Sequence, residues 1–274
     1  MTVSVSCGSS TSSANTTDNP VTGGGGRCRP RGTHPRGLAV VSDVVVNLPG
    51  MVNPDTALRR LLRETGKLLQ PYGFHGAEPT WTRVEARGVA SVGRTRVTRT
   101  WIDGQQVLGF GLTLHATPIA WWEFCNWRDT RRGLPHVPLE SATGPGLIDN
   151  RSLADELTAP WTLRVDPDQP GSHALQSDID TIRSQLPRRV HAYARRALRL
   201  LETDHYLDEL SERSDQGVRT QEAIIVLLAD GGAGPRLDEA VHRFRQCIAG
   251  SAYPEDAITY ARTRTAVGEI LRER

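Results

Sequence analysis

The pattern of apolar and polar positions is most regular in the middle of the chain. Over residues 107–115, Leu108, Phe110, Leu112 and Leu114 alternate with Gly109, Gly111, Thr113 and His115, a period of two that predicts one half-buried strand. Thr117 and Pro118 stop it. A helix beginning at Pro118 then carries Trp121, Trp122, Phe124 and Trp127, which include three of the six tryptophans and form the expected centre of the core. Upstream, Leu58, Leu61, Leu62, Thr65, Leu68 and Leu69 recur at helical spacing. Asn53 is placed to cap that helix, Pro54 suits its first turn, Asp55 complements its positive end, and Pro71 with Gly73 closes it. Strands are predicted at 80–85 and at 89–102, the second interrupted near Gly93, and Asp103-Gly104 is a hairpin turn signal. Trp161, Leu163 and Val165 supply a last strand.

Beyond it the period changes. Ile179, Ile182, Leu186, Val190, Tyr193, Ala197 and Leu201 trace one apolar stripe behind a capping box of Ser177 and Asp180, with Pro187 expected to kink or restart the helix. Further helices are predicted at 204–211, 220–229, 237–249 and 254–271. The predicted fold class is α+β: an antiparallel sheet meander with a packed N-terminal helix, followed by a C-terminal helical region. Residues 51–170 are assigned to the α+β domain and 171–274 to the helices packed on it. The Gly- and Pro-rich loop at 131–150 is long enough to be either a binding element or disordered.

Composition changes the picture at the N-terminus. The apolar fraction is 38%, low for a uniformly folded chain. Residues 1–50, with a Ser/Thr-rich run, four successive glycines and arginines set among prolines, account for much of the deficit and read as a disordered low-complexity tail. Residues 40–48 alternatively add an edge strand, and Met51 is an alternative start to Met1.

The net charge of +2 divides unevenly. Arg27, Arg29, Arg31 and Arg36 against Asp18 and Asp43 give the tail all of it, leaving the body neutral. The basic body of a typical nucleic-acid binder is therefore missing. Lys67 is the sole lysine, a skew that a GC-rich coding bias explains better than phosphate recognition does. Four scattered cysteines form no metal-ligand spacing, and a reduced, cytoplasmic protein fits best. Neither a membrane span nor a signal peptide is evident, and no membrane partner is expected.

The leading helix, the Pro-Tyr-Gly-Phe turn at 71–74, the strand at 109–115 and the Trp161 strand together resemble an uncharacterised bacterial α+β domain family of unknown function, over about residues 55–165. That resemblance implies the architecture and carries no activity or site residues.

No phosphate loop, His-Glu-x-x-His, nucleophile elbow or Cys/His ligand set occurs, so no metal or cofactor is expected. Three candidate sites follow. Trp121, Trp122 and Trp127 cannot all face one core from a single helix, which makes an exposed aromatic surface for a protein partner. Arg188, Arg195 and Arg199, with His191, form a row opposite the apolar stripe that suits an acidic ligand or partner. His115, Glu123 and His136, beside the aromatic cluster, are weak catalytic candidates for hydrolytic acid/base chemistry, with Cys125 as a weaker nucleophile. Each also has a structural explanation: core packing, a solvated charged face, or ion pairing. The leading expectation is a non-catalytic binding or interaction protein. A hydrolase-type enzyme and a nucleic-acid accessory protein are the alternatives.

Overall fold

The computed structural model describes residues 52–168 and 172–272. The tail at 1–50, the strand considered at 40–48 and Met51 lie outside the described residues. Helix α1 (Pro54–Leu69) starts as its sequence dictates, with the Asn53 side chain accepting from the Thr56 N–H at 2.8 Å and Pro54 in the first turn. Ala57, Leu58, Leu61, Leu62 and Leu69 are buried and Leu68 is half-buried. A 3-10 turn and Gly73, whose φ of +73° lies in the left-handed region, then redirect the chain.

Six strands follow: β1 (His75–Ala77), β2 (Thr80–Glu85), β3 (Gly88–Arg94), β4 (Thr98–Ile102), β5 (Gln105–Phe110) and β6 (Leu112–Pro118). Asp103 and Gly104 both take positive φ, 51° and 77°, which matches the turn to the twist of its flanking strands. The expected single strand over 107–115 is divided at Gly111 into β5 and β6, which belong to different sheets. The register explains the break. Arg94 opposes Leu112 and Thr98 opposes Gly109, so residues 95–97 face only 110 and 111, and the long hairpin bends there. Thr95 holds the bend: its N–H donates to Gly111 O and its hydroxyl accepts from Gly111 N–H, both at 2.9 Å.

The first sheet has the order β1-β2-β3-β6. The second has the order β4-β5-β7, where β7 is Trp161–Arg164, and every pairing is antiparallel. Trp81, Val92 and Leu114 face one another across three strands, and Leu108 and Leu163 do the same in the second sheet. Helix α4 (Gln176–Arg199) lies against α1, β3, β6 and β7 and seals this face.

The start of α4 differs from the capping box expected at Ser177. Ala174 N–H is bonded to Val52 O and Leu175 N–H to Arg164 O, so the chain stays extended to Leu175, the N-cap, whose side chain makes no capping bond. Asp178 instead turns to β7, where it accepts from the Arg164 backbone N–H at 2.9 Å and from both ends of its guanidinium. Pro187 does not restart the helix, which runs through it to Arg199.

The remaining helices are α2 (Ile119–Arg131), α3 (Asp155–Thr158), α5 (Thr203–Ser211), α6 (Val218–Asp230), α7 (Pro235–Ile248) and α8 (Asp256–Arg272). Helix α6 is the hub of the C-terminal part, packed on α2, α5, α7 and α8. It buries Glu222, 7% exposed, whose carboxylate accepts from Tyr253 Oη at 3.0 Å. Burial pushes the Glu222 pKa up from 4.5, against smaller opposing effects of the Tyr253 bond and Arg128. A folded-state pKa raised above the unfolded one gives stability that is full below about pH 4.5 and lost as pH rises through the folded value. Glu222→Gln keeps the acceptor and removes the buried charge. It is expected to raise Tm by a few degrees at pH 8 and to leave it unchanged at pH 4, as followed by circular dichroism.

Candidate functional site

Burial divides the six tryptophans. Trp81, Trp121 and Trp161 are buried, Trp122 and Trp127 are half-buried, and Trp101 is 72% exposed. The aromatic cluster of α2 is mostly interior. Trp121 packs on Phe124, Trp127 stacks on Phe124 and meets Tyr260 edge-on, and Arg131 covers the outer face of Trp127. Trp122 donates its indole N–H to Val137 O at 2.8 Å, and Asn126 grips the same residue through both Val137 N–H and O. The segment after α2, expected to be a binding element or disordered, is thus fixed to the helix. It leaves Leu134 exposed, and Val137 exposed beside Trp122.

The tryptophan most exposed to solvent is on β4. All five residues of that strand are exposed, Ile102 at 55%, and no described element pairs with its outer edge. Arg99 ties the strand to the start of α1 through a 2.6 Å ion pair with Asp55. In register, Arg99 and Trp101 stand opposite Leu108 and Gln106, so they continue the core-facing side of β5 past the end of the core. The sequence places Trp101 in the strand predicted at 89–102 and does not single it out as a site. The available signal was that neither face of Thr98-Arg99-Thr100-Trp101-Ile102 is consistently apolar, which a strand buried on one side requires.

The arginine row on α4 is partly neutralised. Arg188 is paired with Glu156 on α3, and Arg199 donates to His205 Nδ1 at 3.3 Å. His191 is hydrogen-bonded to Tyr72 Oη. Arg196, beside the row, makes two bonds to Glu209 at 2.7 and 2.6 Å. Arg195 is exposed and has no ion-pair partner among the described residues.

His115, Glu123 and His136 occupy three different surroundings. Glu123 is bound by Arg264 of α8 at 2.8 Å, and His136 meets the Trp122 ring edge-on. His115 projects from the outer face of the first sheet into a cleft of about 410 Å³. There it stands directly opposite Ser91, which in turn opposes Thr82, and the loop carrying Glu140 and Thr143 closes the other side. Gly144 lets that loop lie on β6, because a Cβ there would come within 2.3 Å of Ala116 O. A hydroxyl facing an imidazole can serve proton transfer, yet no hydrogen bond joins Ser91 to His115, and neither Glu123 nor His136 lines the cleft. Cys125 fits the core better than a nucleophile's place, since burial pushes its thiol up to about 11 and keeps it protonated at neutral pH.

No group of three or more His, Cys, Asp or Glu among the described residues could hold a metal ion, and no described helix is long and apolar enough to cross a membrane. Neither a protein-family model nor a curated protein nor a solved structure matches the chain.

Proposed function

We propose that the chain is an interaction protein that binds an extended polypeptide segment along the outer edge of β4. One observation carries this reading: Trp101, the most exposed large apolar side chain among the described residues, sits with Ile102 on an edge strand whose outer side no described element pairs. An edge strand presents a row of unpaired N–H and C=O groups, which an incoming strand satisfies while side-chain contacts supply selectivity. Edges that must stay free usually carry lysine, proline, a bulge or an inward-pointing charge. Within β4 there is neither lysine nor proline, the extra residue at 95–97 lies before its start, and its one charge, Arg99, is drawn to α1 by Asp55, which leaves Trp101 and Ile102 as the open end of the edge. Tryptophan offers a large contact area at a low cost in side-chain entropy, and it is enriched where interfaces concentrate their binding energy.

The reading keeps the protein-partner expectation and moves its aromatic anchor from the α2 cluster to Trp101. Its test is site-specific photo-crosslinking in cells, with a photoreactive side chain replacing Trp101 or, as a control, the exposed Arg243. A polypeptide adduct of defined mass is expected from position 101 alone, and an adduct of twice the chain's mass would identify the partner as a second copy. Adducts formed equally from both positions, or from neither, would overturn the reading. Trp101→Ala is expected to change unfolding free energy by no more than about 0.5 kcal/mol, because the ring covers little in the free protein.

A further inference from the structure

A groove of about 550 Å³ runs between α1 and the β1–β2 hairpin. Arg59, Arg63 and Lys67 reach it from α1 at intervals of four, which puts them on one stripe of the helix. His75 and Gln70 line it from the turn side, and the indole of Trp81 forms part of its floor. Its apolar side is formed by Ala77, with the buried Leu62 and Phe74 behind.

The carboxylates that would ordinarily neutralise such a stripe are committed elsewhere. α1 contains two acids: Asp55 pairs with Arg99 at 2.6 Å, and Glu64 with Arg183 at 2.9 Å. The acid on the opposite bank, Glu78, is held by Arg94 at 2.8 Å. Three arginines from β4, α4 and β3 thus remove the counter-charges. Arg63 and Lys67 have no ion-pair partner among the described residues, and Arg59 bonds only to the Asp55 carbonyl of its own helix. A solvated charged face, the ordinary explanation for a basic row, is expected to keep the acids of its own helix as neighbours.

The floor supplies a neutral donor as well. Trp122 and Trp161 donate their indole N–H groups to protein acceptors, whereas Trp81 Nε1–H has none among the described residues. Gly66 makes room for that edge of the ring, since a Cβ on it would lie 2.7 Å from Trp81 Nε1. Glycine within a helix costs about 1 kcal/mol relative to alanine, and close approach of the indole is what it permits here.

We infer that this groove binds a small organic phosphate, a phosphomonoester or a diphosphate, with the anionic group on Arg59, Arg63, Lys67 and the Trp81 N–H and the organic part towards Ala77 on the opposite bank. Guanidinium forks suit the several oxygens of a phosphoryl group, and a third cation suits a ligand carrying two or more negative charges. The groove is also within the size range of small-molecule sites. The neutral body argues against a long nucleic-acid track, whose basic surface would extend well beyond one groove.

The test is calorimetric titration of the full chain with inorganic pyrophosphate. Binding is expected to weaken at least about tenfold in Arg63→Ala and in Lys67→Ala. Arg195→Ala, which removes an exposed cation from α4, is expected to leave it unchanged. Trp81→Phe, which keeps a ring and deletes the N–H, should weaken it by a smaller factor, as loss of a single donor would. Arg63 and Lys67 are exposed, so their replacement leaves the fold intact, and far-ultraviolet circular dichroism verifies this. The inference is overturned if pyrophosphate fails to bind in the millimolar range, if Arg195→Ala weakens binding as much as Arg63→Ala does, or if a short DNA duplex binds more tightly with the same dependence on Arg63.

Discussion

Phe124→Ala is expected to lower the free energy of unfolding by about 3 to 5 kcal/mol, measured by urea denaturation. The Phe124 ring is fully buried, with Trp121, Trp127 and Tyr260 around it at centroid separations of 5.4, 6.2 and 5.3 Å and the Arg128 guanidinium 5.2 Å from its centre. Deleting the ring loses its transfer free energy and leaves a cavity that four large neighbours on α2 and α8 cannot readily fill. The prediction separates two uses of tryptophan that look alike in sequence. The α2 cluster should behave as core, with its loss felt in stability, whereas Trp101→Ala should leave stability nearly unchanged and be felt in association. A loss below about 1 kcal/mol for Phe124→Ala would mean that the cluster is not packed as described.

Gly88→Ala is the second large effect, about 3 to 5 kcal/mol on the same scale. Gly88 opens β3 at a φ of +139°, where a side chain is strained, and a Cβ would lie 2.1 Å from Thr117 O and 3.0 Å from Ile119 N. Both obstacles are backbone, so no rotamer change relieves them. The neighbouring Arg87 O accepts from Ile119 N–H at 2.8 Å, a bond that fixes where the sheet ends and α2 begins. Displacing β3 from β6 there would shift the whole of α2. Alongside the drop in stability, the near-ultraviolet circular dichroism from the Trp121 region should weaken. A variant as stable as the parent would show that the Gly88–Pro118 junction is looser than its close contacts indicate.

The candidate surfaces illustrate how local and distant information divide. The basic stripe of Arg59, Arg63 and Lys67 can be read directly from a helical spacing of four, but its availability cannot. That depends on Arg99, Arg94 and Arg183 taking Asp55, Glu78 and Glu64, contacts that span 44, 16 and 119 residues of chain. The row on α4 runs the other way: Glu156 from α3, 32 residues away, engages Arg188. Charge patterning along one helix gives the positions of ions and says nothing of the partners that other elements bring.

By itself the sequence determined the elements that depend on neighbours within a turn or a strand. Asn53 and Pro54 start α1, Asp103-Gly104 makes the tight hairpin, and the stripe from Ile179 to Ala197 buries one side of α4. These follow from capping, left-handed backbone at a turn and helical periodicity, and together they specify an α+β chain with a helical C-terminal part. Tertiary structure decided what depends on registers and on packing between distant segments. The alternation over 107–115 is intact on both sides of Gly111, so nothing local marks the point where one strand becomes two; the extra residue lies on the facing arm, at 95–97. Likewise Trp101 lies in a predicted strand and Trp121 in a predicted helix, and neither assignment says what covers the ring. α2 carries Trp121 inward between the sheet and the C-terminal helices, while β4 stands at the edge of its sheet with no described neighbour beyond it. Which ring is core and which is surface is set by what covers it, and the covering elements come from elsewhere in the chain.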